Sequence, residues 1–492
     1  MKPIIPFLIL GSIGAVGVVS DVRGTGGGTA TPVVPPPTVT VTTTGPVTVK
    51  ASFERTTLPA NQEGDTFVRV AITGLAQQKD ATTQRLPVSL TLVIDRSGSM
   101  GSEHKMETAK DAACKAVLAL SPGDRFAVVS FDNGAELLGT GDVVPGPSLE
   151  VAHAHPSLMN SVHGACLAIS GLDARGSTDM AAGLDVGAQA ARTIAGSGRV
   201  NRLLLLSDGR PDSEAGLAER TAALARAGVV TTTIGLGTDY NEDLMASIAD
   251  RGLGNTWFVE SQPEKRGGTT LASIFQTELS SMADVVAKGT VLRLTEQDGL
   301  QVTDVIGFPH DRSGHDVIVP IGDIYAGHTT DLLVRVRHPA ARGEHHLLDV
   351  AVSGTATRST RDPGVAGDDA FGTVLALNAD FSADSAVVAA SLVPEVAEEA
   401  EEWRTTQALL VANEAYNRGD FGGGDAILNE QKAKVQVQAK ALGSSKLEAL
   451  FSDVDSYQQQ NTLGGLSTRA SMNKVAKEKA RDYQRGSKKA QP

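Results

Sequence analysis

Basic charge is scarce in this chain. Its 492 residues carry 44 Lys and Arg against 57 Asp and Glu, a formal charge of -13. A general nucleic-acid binder needs a basic face to displace counterions from phosphates, so the composition argues against that class. Cysteine is rarer still: Cys114 and Cys166 are the only two. They leave two readings, a bond between them or two separate buried thiols, because sequence cannot supply the distance between their Cα atoms. Catalytic signatures are missing as well. There is no GxSxG elbow, no HExxH and no Walker A sequence, so the expectation is a protein that is not an enzyme. Beyond the N-terminus no apolar run approaches membrane-spanning length.

What is present begins with an export signal over residues 1–20. Lys2 supplies the positive start, Ile4 to Val19 is apolar without a charge, and Val18-x-Ser20 offers small residues for cleavage. The protein is therefore expected to be exported, as a periplasmic, cell-surface or membrane-tethered chain. Its one route to a membrane is an uncleaved N-terminal anchor. Residues 21–46, with GTGGG, VVPPP and a run of Thr, have no apolar periodicity and read as a disordered linker.

From Val47 the pattern has a period of two. Val47, Val49, Ala51 and Phe53 alternate with polar residues, and Thr66 to Ile72 repeats the pattern, giving strands over 47–85. At Ser89 the grammar changes to unbroken apolar runs separated by helical stretches. That predicts a doubly wound parallel sheet, covered on both faces, over 86–285. The two-residue period returns over 286–383, at Val291–Leu294, Val302–Ile306, Val317–Ile321, Leu332–Val336, Leu347–Val352 and Thr373–Leu377. These strands are the natural partners of the early ones, so the α/β domain is expected to be inserted into a β-sandwich. Residues 384–470 read as a helical hairpin. Val396, Ala400, Trp403 and Leu410 share a stripe, Glu398, Glu399, Glu401 and Glu402 face solvent, and Gly422 to Gly424 form a flexible joint. Residues 471–492 are a basic, loosely ordered tail.

The chemistry lies in three segments of the central domain. Asp95-Arg96-Ser97-Gly98-Ser99 follows the first parallel strand, where open α/β sheets place their ligand sites. Gly176-Ser177-Thr178-Asp179 precedes a helix, and Ser207-Asp208-Gly209 follows the strand Arg202 to Leu206. Asp95, Ser97, Ser99, Thr178 and Asp208 make an all-oxygen set of three hydroxyls and two carboxylates. That set suits Mg2+, Mn2+ or Ca2+ and not zinc. If neutral hydroxyls make the direct contacts, an ion keeps electrophilic character and can take an acidic side chain from outside. His153, His155 and His163 in the connection after Thr140 invite a zinc reading, but no acidic or Cys partner sits at ligand spacing, so they read as loop residues.

The order DxSGSM, GSTD and LLLLSDG resembles the von Willebrand factor type A family. Lys105-Met106, Gly123-Asp124-Arg125-Phe126, Ile234-Gly235-Leu236-Gly237 and Asn241-Glu242-Asp243-Leu244-Met245 look like its bacterial exported subgroup, with flanking β-strands and a helical C-terminal region. The resemblance implies that Asp95, Ser97, Ser99, Thr178 and Asp208 fill the five positions of that family's metal-ion-dependent adhesion site. It also implies a protein partner that offers Glu or Asp to the metal. Two rival expectations stay open. One is an intracellular-type partner of an ATPase complex, against which the apparent signal speaks. The other is a structural surface component whose metal only stabilises loops.

Overall fold

The computed structural model describes residues 39–76, 86–144, 161–196, 198–208, 210–237, 241–259, 270–282, 284–357 and 369–463. The expected signal, most of the expected linker, His153, His155 and the basic tail lie outside the described residues. Four strands precede the central domain: β1 (Thr40–Thr44), β2 (Val47–Phe53), β3 (Thr57–Pro59) and β4 (Gly64–Gly74). Six belong to it: β5 (Val88–Asp95), β6 (Arg125–Phe131), β7 (Ala135–Asp142), β8 (Val200–Ser207), β9 (Val230–Leu236) and β10 (Leu253–Val259). Seven follow: β11 (Val285–Glu296), β12 (Gln301–Val305), β13 (Asp311–Ser313), β14 (Asp316–Tyr325), β15 (Thr329–His338), β16 (Gly343–Ala356) and β17 (Asp369–Ser382).

The central sheet runs β10-β9-β8-β5-β6-β7, parallel throughout except at β7. Every residue of β5 is buried, because helices cover both faces and no side of the strand meets water. Alternate residues feed two cores. Leu90, Leu92 and Ile94 join the helices Lys105–Leu118, Val162–Ser170 and Leu271–Met282. Val93 points the other way, toward the helices Met180–Ile194, Leu217–Arg226 and Glu242–Arg251. The helix Met180–Ile194 lies unusually close. A Cβ at Gly187 would come within 2.5 Å of Val93 Cγ2, and one at Gly183 within 2.7 Å of the Phe131 ring.

The flanking strands form a sandwich of two sheets, β1-β2-β4-β15-β12 and β13-β14-β11-β16-β17-β3. β4 pairs antiparallel with β15 from Gly64 opposite His338 to Thr73 opposite Thr329. This ladder joins chain before the α/β domain to chain after it, so the insertion is built into the sheet. Val49, Val68, Val70 and Ile72 share one core with Leu292, Val334, Val350 and Leu375. At the junction of sandwich and inserted domain, the fully buried Arg202 of β8 donates to Asp323 Oδ2 at 2.7 Å and to the Tyr325 hydroxyl at 2.7 Å, both on β14.

Several expectations need correction. Thr40–Thr44, assigned to the linker, is a strand paired with β2 from Thr40 opposite Ala51 to Thr44 opposite Val47. Its Thr residues are β-branched and suit an edge strand despite their polarity. β7 is an antiparallel edge strand in a sheet whose pattern predicts parallel strands. The C-terminal region is not a simple hairpin, since the long helices Pro394–Asn417, Phe421–Leu442 and Ser445–Leu463 follow a short one, Ser385–Ala390. Gly422 to Gly424 are no joint: they form the first turn of Phe421–Leu442, capped by Asp420, whose Oδ1 accepts from the Gly423 amide at 2.8 Å. A side chain at Gly424 would strike the Tyr416 ring.

Nor do all four glutamates face solvent. Glu401 is buried and accepts from Gln431 at 2.7 Å and Arg404 at 3.2 Å, while Glu399 accepts from Arg69 of β4 at 3.0 Å. Val396, Ala400 and Trp403 pack on Phe67, Ile306 and Leu333, which seats this helix on the sandwich. Among the described residues no helix is long and apolar enough to cross a membrane.

Candidate metal centre

β5 and β8 are parallel neighbours, with Ile94 opposite Leu206. Their ends therefore deliver Asp95 and Ser207-Asp208 side by side at one sheet edge. Asp95 is completely buried. Its Oδ1 accepts from the Ser97 amide at 2.7 Å and its Oδ2 from the Ser207 hydroxyl at 2.5 Å. Burial pushes its carboxyl up to about 6; the donors at Ser207 and Ser97 oppose this, and the nearby Asp208 charge adds to it.

Beyond Asp95 the chain turns back on itself. The Met100 amide donates to the Ser97 carbonyl at 3.0 Å, and the Met100 side chain is buried in the core beneath. This turn brings Ser97 Oγ and Ser99 Oγ to 3.1 Å from each other. Ser99 Oγ in turn donates to Asp208 Oδ1 at 2.8 Å. Four of the five expected residues thus form one connected group.

Thr178 joins through its backbone. The Gly98 amide donates to the Gly176 carbonyl at 3.1 Å, and the Asp212 amide to the Thr178 carbonyl at 3.0 Å. Its loop is thereby tied to both of the others, and Thr178 is itself buried. Asp179, next along, caps the helix Met180–Ile194 through the Ala182 amide at 3.0 Å. Gly176 sits at φ +72°, and a Cβ there would collide with Asn133 Oδ1, so this position needs glycine.

Some supporting residues escaped the sequence reading. Asn133, just past β6, accepts from the Ser177 amide at 2.5 Å. Asp132 accepts from Arg96 at 3.1 Å and Arg175 at 2.8 Å, and its carboxyl is held below the usual range by the two guanidiniums against the effect of burial. The signal that could have found this pair was position: polar residues at the end of a parallel strand, at the same edge as Asp95. Lys105 was noted only as part of a family pattern, yet its Nζ lies 2.7 Å from Asp208 Oδ2 and both side chains are buried. Cys114 and Cys166 are bonded, with Cα atoms 4.9 Å apart, which ties the helix Lys105–Leu118 to Val162–Ser170. His163 lies in the latter helix, and among the described residues no three His, Cys, Asp or Glu side chains converge.

A divalent ion held here would therefore rest on hydroxyls as much as carboxylates. The donors fit that need. They are all oxygen, three are neutral, and the buried Asp95 carboxylate is served by an amide and a hydroxyl.

Residues 89–270 match the family model of the von Willebrand factor type A domain. The Escherichia coli protein YfbK is 28% identical over 249 residues, 49% of this chain and 39% of its own length. A Synechocystis protein is 30% identical over 203 residues, 40% of this chain and 43% of its own. The chain thus spans about two fifths of the length of these curated relatives. Among solved structures, a von Willebrand factor type A protein from Catenulispora acidiphila superposes with a TM-score of 0.59 at 19% identity, covering 84% of this chain and 89% of that one. The ArnB paralog VWA2 from Sulfolobus acidocaldarius gives 0.51 at 17%, covering 88% and 98%. These likenesses extend beyond the central domain, so the flanking strands and helices share in the fold.

Proposed function

We propose that the von Willebrand factor type A domain carried by this chain over residues 89–270 is a protein-interaction module that takes an acidic side chain of its partner through a divalent cation. The observation that carries this proposal is the hydrogen-bonded group Ser97, Ser99 and Asp208 beside the buried Asp95. Asp95, Ser97, Ser99, Thr178 and Asp208 would hold the ion. When bound, such an ion supplies a Lewis-acid position for a carboxylate oxygen. The chain's own part is to fix the donors: β5 and β8 set Asp95 and Asp208, and the tied loops set the hydroxyls.

Binding rather than catalysis is favoured by the way the serines are engaged. The Ser99 hydroxyl donates a hydrogen bond to a carboxylate, and among the described residues Ser97 bonds to Ser99 and not to a histidine. Export is part of the same proposal. The Lys2 to Ser20 pattern and the bonded cysteines both suit an oxidising compartment.

Asp95→Ala supplies the test. Mn2+ titration by calorimetry should show one site in the wild type and none in the variant. The variant's circular dichroism should be unchanged, because the site caps the sheet edge. Its thermal midpoint without metal should equal or exceed that of the wild type, since a buried carboxylate facing Asp208 has been removed. Unchanged Mn2+ binding in Asp95→Ala would overturn the proposal.

A further inference from the structure

Lys105 occupies an awkward place for a cation. It is the first residue of the helix Lys105–Leu118, where the helix dipole disfavours positive charge. It is also buried, and burying an ammonium is costly unless it is paired. The chain reaches this position through two successive non-glycine residues in the left-handed region, Glu103 at φ 54° and His104 at φ 58°. Three unfavourable features converge on one contact, Nζ to Asp208 Oδ2 at 2.7 Å. A residue placed only to cover the core would need none of them.

The contact divides the Asp208 carboxylate. Oδ1 accepts from Ser99 and Oδ2 from Lys105, so both oxygens are engaged within the protein. The charge balance follows. Asp95 and Asp208 with Lys105 leave one net negative charge at the site, and a divalent ion converts that to one net positive charge. Without the ammonium, the two carboxylates would neutralise the ion in full.

We infer that Lys105 sets the charge of the loaded site: it weakens the hold on the divalent ion and in return leaves the site cationic toward an incoming carboxylate. The inference rests on the proposed metal centre and makes Lys105 a positioning and specificity-determining residue of it. The two effects have opposite signs. A mere structural prop would not produce that pair, because general loosening of the loops would weaken both ion and ligand.

The test uses Mn2+ alone and then glutarate as a small dicarboxylate probe. Mn2+ affinity is measured by calorimetry, and glutarate is followed by the fall in water-proton relaxation as it displaces water from bound Mn2+. Lys105→Met should bind Mn2+ at least about tenfold more tightly, since loss of one like charge about 5 Å from a divalent ion is worth that much even at the dielectric of water. The same variant should need several-fold more glutarate. Lys105→Arg keeps the charge and should stay within about twofold of wild type in both measurements. Lys105→Gln keeps a donor toward Asp208 without the charge, and it replaces Lys105→Met if that variant does not fold.

Unchanged or weaker Mn2+ binding in folded Lys105→Met or Lys105→Gln, with wild-type binding intact, overturns this inference alone. Tighter Mn2+ with unaltered glutarate response overturns it too, since charge would not be reaching the ligand. Absence of Mn2+ binding in the wild type overturns the metal centre and this inference together.

Discussion

Arg202 and Asp323 meet at 2.7 Å, across the junction between the inserted domain and the sandwich, with the guanidinium wholly out of solvent. The Tyr325 hydroxyl takes a second donor, and burial with the facing Asp323 charge pushes that phenol up to about 12 despite the guanidinium. Arg202→Leu should therefore cost about 3–5 kcal/mol, much of it from the largely covered Asp323 left without its guanidinium partner. Urea unfolding followed by circular dichroism reads the loss. Mn2+ affinity should stay within about twofold of wild type, because Asp208 stands at the opposite end of β8. A fall in affinity as large as the fall in stability would show that the junction and the metal edge are coupled.

The Cys114–Cys166 bond closes a long loop on the face of the sheet that carries Lys105. Thiol labelling of the denatured, unreduced protein should find no reactive cysteine, and labelling after reduction should find two. Replacing both by Ala should lower stability by roughly 2–4 kcal/mol, the range expected when a loop of this size is released in the unfolded chain. Two labelled thiols before reduction would refute the bond.

Glu399 gives the pH dependence a sign. Burial, with the Asp331 charge beside it, pushes its carboxyl from 4.5 up to about 7 in spite of Arg69 and Lys446. The folded state then holds this proton more tightly than the unfolded chain. Its contribution is full below about 4.5 and is lost as pH rises through about 7. Between these values Glu399→Gln should flatten the decline of the thermal midpoint. A variant whose midpoint follows the wild-type profile in parallel would assign the dependence to other groups.

Gly187→Val tests how closely the helix Met180–Ile194 must lie. The added carbons would overlap Val93 of β5, and overpacking of this kind costs typically 1–3 kcal/mol. Since Asp179 caps the same helix and Thr178 precedes it, a displaced helix should also weaken Mn2+ binding several-fold. Lowered stability with full Mn2+ affinity would mean the loop is held by Asn133 and Asp212 alone.

Residues that repeat a period announced themselves in the sequence. The buried run Val88–Ile94 and the alternation at Val47, Val49 and Ala51 both come from strands whose surroundings are uniform along their length. Asp95, Ser97, Ser99 and Asp208 were legible for a different reason: each follows a strand or turn that the pattern locates, and hydrogen bonds join them in the structure.

Thr40–Thr44 was not legible, because an edge strand with a polar sequence owes its order to the ladder with β2 and not to buried apolar residues. Glu401 misled in the opposite way. On a helix wheel it belongs with solvent, but Gln431 on the next helix and Arg404 give it partners that only the packed helices bring within reach. Lys105 is the instructive case, since nothing in its local sequence states that a helix-starting lysine turns inward.

One strand, β8, carries Arg202 near its start, bonded to Asp323 of β14, and ends beside Asp208, with β5 and β9 bonded along its two sides. Tension from a captured partner would thus enter at one tip and leave at the other, parallel to the strand. Both ladders would be loaded in shear, all their hydrogen bonds at once, instead of being peeled open singly.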